Sequence, residues 1–381
     1  MQPRCLSLFL AWRILSQNKP RTLVAVLGLS VLFFLSVSQV ALFIGWCNTV
    51  TAIPRHTDAD VWVMAERTAA LDYATAIPRH RIHQVRNVRG VAWAEGLYTG
   101  WVFWQRADGR YCPIELVGLD ESHVGGPWDM REGSVDSVRL PHGLIVDELY
   151  LDYLGVQGIG DEAQVNGERA TVRGISRDVR TLTAAPFAFT SLREASRYDK
   201  TFDHRQHTKF VIVRAEPGVS AEELARRINE EVPSVEALTS QQLRRRTIRY
   251  WMLETGLGAT VILSAVLGLA VSAVVAGQTL YTITQERIGD YGTCAAIGFG
   301  RGRLLRCVTI QGLMLSAAGV LLGGLGFAGI MHASARTPIP LEMTLPVFMV
   351  LVAVIICGSL IGSLLSVRAV WKLDPALVFR R

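Results

Sequence analysis

Four long stretches of the 381-residue chain carry no charged residue: Thr22 to Trp46, Thr255 to Tyr281, Val308 to Met331 and Leu345 to Val367. As helix each would run roughly 35–40 Å, enough to cross a hydrocarbon core of about 30 Å. Between the first and second lies a long run of ordinary mixed polar and apolar sequence, from Cys47 to Glu254. The pattern predicts a membrane α-helical protein with four transmembrane helices and a large α/β extracytoplasmic domain between helices 1 and 2.

Shorter patterns subdivide the chain. Residues 5–16, CLSLFLAWRILS, are apolar but too short to span, and predict an interfacial helix with Trp12 at headgroup level and Arg13 reaching water. The expected boundaries are 1–21 for this cytoplasmic segment, 22–47 for the first span, 48–250 for the outer domain, 251–281 for the second span, 282–307 for a cytoplasmic loop, 308–331 and 345–367 for the last two spans around the external loop 332–344, and 368–381 for a cytoplasmic tail. In the outer domain, ADVWVMAE (59–66) alternates like a strand, and 78–88 predicts a helix with Pro78 at its start. Residues 96–105 and 111–117 predict a hairpin around Asp108-Gly109, and 164–169 predict another around Asn166-Gly167. GLIVDELYLDYLGV (143–156) predicts a strand running into a helix that stops at Gly155. KFVIVRAE (209–216) predicts a strand, Ser220 with Glu223 caps the next helix, and 234–239 close a β-α-β unit. A helix over 240–250 is expected to run on into the second span as a stalk.

Small residues recur at spacing four within the spans: Ser264, Gly268, Ser272 and Ala276 in the second, Gly319 and Gly323 in the third, Gly358 and Gly362 in the fourth. Such stripes let helix backbones approach closely in lipid, where packing drives association. No ionisable residue lies inside a span, which argues against an ion or proton path through this chain alone.

The net charge of +6 and pI near 9.1 do not point to nucleic acid, because much of the excess flanks the spans and no nucleic-acid motif accompanies it. Arg4, Arg13, Lys19 and Arg21 precede the first span; Arg287, Arg301, Arg303 and Arg306 lie between the second and third; Arg368, Lys372, Arg380 and Arg381 follow the fourth. The positive-inside rule then puts both termini and the 282–307 loop in the cytoplasm. Arg244, Arg245, Arg246 and Arg249, beside the outer end of the second span, run against that count, but long domains translocate largely regardless of charge. The first span reads as an uncleaved signal anchor.

Chemistry-bearing motifs are sparse. The six cysteines form no CxxC pair, and a disulfide between Cys47 and Cys112 would require both to lie on the same oxidising side. His80/His83 and His204/His207 have metal-compatible spacing without a third ligand nearby, so no metal site and no catalytic residue is assigned. No Gly-x-x-x-x-Gly-Lys-Ser/Thr loop is present, so ATP hydrolysis, if involved, belongs to another chain. Trp93, Trp101, Trp104 and Trp128 read as core, with an exposed docking patch as the alternative.

Three segments together resemble ABC transporter permeases of the FtsX/MacB/LolC type. They are LAWRILSQNKPRTLVAVLGLSVLFFL (10–35), TITQERIGDYGTCAAIGFGRGRLLRCVTIQGLMLSAAGVLLG (282–323) and VRAVWKLDPALVFRR (367–381) with Asp374-Pro375. GLIVDELYLDYLGVQGIGDEAQVNGERATVRGIS resembles the β-rich insert of the MacB-type periplasmic domain. The resemblance divides the outer domain into porter-like parts, about 57–120 and 205–245, around an insert at about 121–204. Tyr250-Trp251, GQTLYT (277–282) and the Tyr291-x-Thr293 spacing are similar to the DevC-like subgroup, which lacks a fused ATPase. Asp290, Ala295 and Gln311 depart from the family's usual Glu, Arg or Lys, and Glu.

The resemblance implies a permease subunit of an export system, not an enzyme, in the bacterial inner membrane. A separate cytoplasmic ABC ATPase would bind ATP and Mg. Its docking loop here would comprise Glu286, Arg287, Asp290, Tyr291, Gly292, Ala296, Gly298 and Arg301. The implied partners are a second copy of this permease, an HlyD-like membrane-fusion protein and a TolC-like outer-membrane channel, and the substrate a lipid, glycolipid, peptide or drug. The alternative is an FtsX-like regulator that activates a periplasmic cell-wall hydrolase.

Overall fold

A computed structural model of the chain describes residues 3–17, 19–120, 124–181, 185–286, 300–335 and 337–371. These fall into two compact units, one helical (within 1–44, 260–335 and 341–381) and one α/β (45–259 with 337–340). The helices are α1 (Pro3–Gln17), α2 (Lys19–Thr49), α3 (Ala52–His56), α4 (His80–Arg86), α5 (Leu151–Leu154), α6 (Leu192–Tyr198), α7 (Ala221–Glu231), α8 (Ser240–Leu253), α9 (Leu257–Glu286), α10 (Arg301–Ser334) and α11 (Leu345–Trp371). The strands are β1 (Val61–Met64), β2 (Ile77–Pro78), β3 (Val91–Gln105), β4 (Tyr111–Leu119), β5 (Met130–Glu132), β6 (Gly143–Asp147), β7 (Glu162–Val165), β8 (Glu168–Ser176), β9 (Phe187–Ser191), β10 (His207–Thr208), β11 (Phe210–Ala215) and β12 (Glu236–Thr239).

In the α/β unit the main sheet runs β12-β1-β11-β3-β4-β9-β6-β8-β5, with β7 bridging β3 and β8. β1 and β3 flank β11 and lie antiparallel to it, while β11 and β12 flank β1. Two split β-α-β units, β1-α4-β3 and β11-α7-β12, thus interlock as a ferredoxin-like half. Everything from β4 to β10 is inserted between them. The sequence-predicted hairpins form as antiparallel pairs, β3 with β4 and β7 with β8. Gly109 has φ +82°, and Asn166 and Gly167 have φ +49° and +82°, the left-handed turn that Asn-Gly permits.

β1 shows why the alternation of 59–66 is muted. Val61 and Val63 pack with Ile82, Val85, Leu224 and Ile228 beneath α4 and α7. Trp62 and Met64 pack with Ile53, Phe210 and Leu243 on the opposite face. Both faces of the strand are covered, as near-continuous apolar runs require. The insert packs with the β3 side chains Tyr98 and Trp104 in a further core, to which it gives Leu144, Tyr150, Val172 and Tyr198. Ser220 caps α7 by accepting from the Glu223 backbone, but the Glu223 carboxylate turns to Arg226 and Arg227 and leaves the expected reciprocal box half made. A full capping box stands instead at Thr239 and Gln242, at the start of α8.

The expected continuous stalk needs correction. α8 ends at Leu253, with the Glu254 amide still bonded to the Tyr250 carbonyl. Gly256 then takes φ +75°, which ends the helical path before α9 begins at Leu257. The count of four spans is not reached among the described residues. Among the described residues two helices are long and apolar enough to cross a bilayer, Thr22–Thr49 and Leu305–Ser334, and a third qualifies only if α8 and the start of α9 count as one bent span. The described apolar part of the last helix, Leu345–Gly358, is shorter.

One of the arginines near the second span, Arg246, has a folding role. Arg246 pairs with Glu236 and also donates to the Thr68 carbonyl, so it pins α8 to the sheet edge. Cys47 and Cys112 are both free thiols.

Candidate functional site

The expected docking loop has its two ends in view. Glu286 is the last residue of α9, and Arg301 opens α10 after Gly300 at the N-cap. Arg287, Asp290, Tyr291, Gly292, Ala296 and Gly298 lie outside the described residues. The first turns of α10 bring Arg301, Arg303 and Arg306 to one end of the helical unit, with no acidic residue in the first turn.

The small-residue stripe of α10 meets α2 at close range. A Cβ placed on Gly319 would lie 2.7 Å from Leu29 Cβ, and one on Gly323 would lie 2.5 Å from the Ser30 carbonyl oxygen. Those distances leave no room for a methyl group, so glycine sets the separation of the two backbones. Around the crossing, Phe33, Val37 and Phe327 are buried together with Leu351 and Ile355 of α11. Phe33 meets Phe348 edge to face, with ring centroids 5.8 Å apart. α1 adds Leu15 to a second cluster with Val26, Leu29 and Leu315, while Trp12 stays exposed.

The stripe of α9 behaves differently. A Cβ built on Gly268 lies 3.6 Å from Ser36 Oγ, an ordinary contact distance, and Ser264 returns its hydroxyl to the Thr260 carbonyl of its own helix. Ile262, Leu263, Val266, Leu267, Val271 and Val274 are exposed along α9, an apolar surface left for lipid or another helix. Gly358 is half-buried in α11; the surroundings of Ser272 and Gly362 lie outside the described side chains.

In the α/β unit the four tryptophans divide. Trp104 is fully buried and its Nε1 donates to the Leu154 carbonyl at 3.0 Å. Trp93 and Trp128 are half-buried, while Trp101 is exposed together with Phe103 and Tyr111 on the same hairpin. His80 and His83 are exposed, His204 hydrogen-bonds Ser196 at 3.0 Å, and no group of three metal-ligating side chains gathers among the described residues. Sequence reasoning missed one buried feature, the carboxyls of Asp72 and Glu115 on a shared cavity. Two acids so far apart in the chain carry no spacing signal.

Comparison with known proteins agrees with this two-part build. The MacB-like periplasmic core domain matches residues 22–231, more than half of the chain, and the FtsX-like permease C-terminal domain matches residues 262–375. The putative hemin transport system permease protein HrtB of Staphylococcus haemolyticus (strain JCSC1435) is 29% identical over 107 residues. That is 28% of this chain and 30% of the relative, so the chain spans under a third of the length of the curated relative it matches. The periplasmic region of MacB from Actinobacillus actinomycetemcomitans aligns over 50% of this chain and 94% of its own, at 10% identity and TM-score 0.38. The extracellular domain of the noncanonic ABC-type transporter YknZ from Gram-positive bacteria aligns over 47% and 98%, at 13% identity and TM-score 0.35. On the two domain matches, the chain belongs to the FtsX/MacB-like family of ABC-type permeases.

Proposed function

We propose that this chain is the permease subunit of an ABC export system of the DevC-like kind, driven by a separate cytoplasmic ATPase. The observation that carries the reading is that one chain matches a MacB-like periplasmic core domain over 22–231 and an FtsX-like permease C-terminal domain over 262–375. ATP and Mg would sit on the partner, and the 286–301 segment would seat in it. The four uncharged stretches of the sequence support four membrane crossings, and charge counting supports both termini in the cytoplasm. The exposed apolar face of α9 supports a second copy of the chain as neighbour. An HlyD-like membrane-fusion protein and a TolC-like channel would receive the substrate. Hemin, in the name of the Staphylococcus relative, joins lipid, glycolipid, peptide and drug as a substrate class to test.

In this mechanism nucleotide favours one geometry of the permease dimer, since a ligand shifts an equilibrium only through unequal binding to its two states. The outer domains then move substrate on the far side of the membrane, which needs no charged path through the spans. Gentle extraction of the tagged protein followed by mass spectrometry tests the assembly. An ABC ATPase with a membrane-fusion protein is the expected result. An ATPase with a cell-wall hydrolase would replace export by the regulatory role, and no ATPase under several detergents would overturn the docking assignment. Replacing Gly292–Gly298 should uncouple ATP use from export while the protein still inserts.

A further inference from the structure

Between Arg67 and Arg79 the chain reads TAALDYATAIP (68–78), with Asp72 as its one charged residue. The segment links β1 to β2 and makes a single tight turn at Leu71–Tyr73. Leu71 and Ala74 root it in the core beside Trp62 and Leu243. The side chains it leaves exposed are Ala69, Tyr73, Thr75, Ala76 and Pro78, all uncharged. Singly exposed apolar side chains need no explanation, but here the neighbours supply one.

Tyr73, 54% exposed, stands 5.3 Å from Tyr250 and 6.5 Å from Trp251 between ring centroids. Trp251 in turn meets Trp46 edge to face at 6.2 Å. All four rings belong to the α/β unit. Trp46 lies three residues before the end of α2, whose stretch Thr22–Thr49 is long and apolar enough to cross a bilayer. Trp251 lies six residues before α9. The aromatic cluster therefore stands where the chain leaves one long apolar helix and approaches the next. Leu253, three residues on from Tyr250 and so on the same face of α8, is 73% exposed. The one carboxyl of the loop is turned inward: Asp72 Oδ2 accepts from Trp251 Nε1 at 3.0 Å. Burial pushes that carboxyl above its ordinary range, against the pull of the Trp251 N–H.

We propose that the 68–78 loop anchors the α/β unit to the lipid surface, with Tyr73 seated among the phospholipid headgroups beside the end of α2. Tyrosine and tryptophan join an apolar ring to a polar tip, which is why they collect at the headgroup level of membrane proteins. Around Tyr73 the loop offers small uncharged side chains, which lose little by leaving water and bring no charge into the interface. Its continuity with the end of a membrane-crossing helix, through Trp251 and Trp46, makes lipid the occupant rather than a second protein. The inference needs only the membrane helices and stands apart from the export reading.

The test uses the whole protein in phosphatidylcholine nanodiscs that contain a phosphatidylcholine with a diazirine in its headgroup. After photolysis, trypsin releases the loop as residues 68–79 and the start of α7 as residues 215–226, two peptides of equal length. α7 packs on the sheet face opposite Leu71, so 215–226 is the water-facing reference. Lipid label on 68–79 at about fivefold or more over 215–226 is the expected result. A ratio near one would overturn the proposal. So would an unlabelled 68–79 that is protected from hydroxyl radicals, which would give the loop to a protein partner or a second copy. Tyr73→Glu, at an exposed position, should lower the label on 68–79 by about threefold or more, while Tyr73→Trp should keep it. Equal labelling of the loop in all three proteins would overturn Tyr73 as the anchor.

Discussion

Glu236, on the last strand of the outer sheet, receives both terminal guanidinium nitrogens of Arg246, one helix onward, at 2.5 and 2.7 Å. Both side chains keep about a quarter of their surface exposed, so solvent screens the pair in part. Arg246→Ala should cost about 1–2 kcal/mol, because a two-pronged pair and the bond to the Thr68 carbonyl go together. Arg246→Lys should recover only part of that, since an ammonium cannot match both oxygens. Denaturant titration of the purified protein reads both values.

Gly323 offers a sharper test of the helical unit. Gly323→Leu drives a side chain into the Ser30 carbonyl region and should destabilise by about 1–3 kcal/mol or force α2 and α10 apart. Gly329→Ala on the same helix meets nothing within 4 Å and should be neutral or gain up to about 1 kcal/mol. Melting temperatures in one detergent compare them. Equal losses at both positions would mean that glycine content, rather than the crossing, matters.

Asn166 combines a turn with two ties. Its side chain accepts from the Phe103 amide at 3.1 Å and donates to the Tyr198 carbonyl at 2.8 Å, while its own backbone is left-handed. Asn166→Ala should cost about 1–3 kcal/mol, and Asn166→Asp should keep the acceptor but lose the donor. Limited proteolysis within 162–176 would report loosening of the β7–β8 hairpin.

Asp147 gives the pH dependence. Burial pushes its carboxyl up to about 6, although it accepts from the Leu149 and Val179 amides and from Ser176 Oγ. A carboxyl raised on folding contributes stability that is full below its unfolded value, near pH 4, and lost as pH rises through about 6. Asp147→Asn, which keeps the neutral form, should lack that decline. Chemical unfolding at pH 4, 5, 6 and 7 for both proteins checks the sign, and parallel curves would refute the assignment.

Much of the outer domain was legible because its turns carry backbone chemistry. Asp108-Gly109, Asn166-Gly167 and Gly155 mark stops that only a few residue types permit, and each falls where expected. The break at Gly256 was not legible, because apolar sequence on its far side continues the helical pattern. The interlocked β1-α4-β3 and β11-α7-β12 topology was hidden by the insert, which parts its halves. The contact of Gly319 and Gly323 with α2 could not be read either. A small-residue stripe advertises close approach without naming the partner, and at Gly268 of α9 the approach is looser, 3.6 Å from a built Cβ to Ser36 Oγ. Asp72 and Glu115 meet only through folding, so no local pattern announces them.

The insertion between β3 and β11 also fixes an order of events. β3 pairs with β11 at Leu97 and Phe210, so the ferredoxin-like half stays open until the intervening chain has been made and delivered. A chain that emerges N-terminus first exposes β1 and β3 with a vacant slot between them, while the insert can already gather its core against the far part of β3. Loop closure over so long a span is slow. The segment that carries β11, α7 and β12 closes the sheet, and α8 follows directly behind it in the chain.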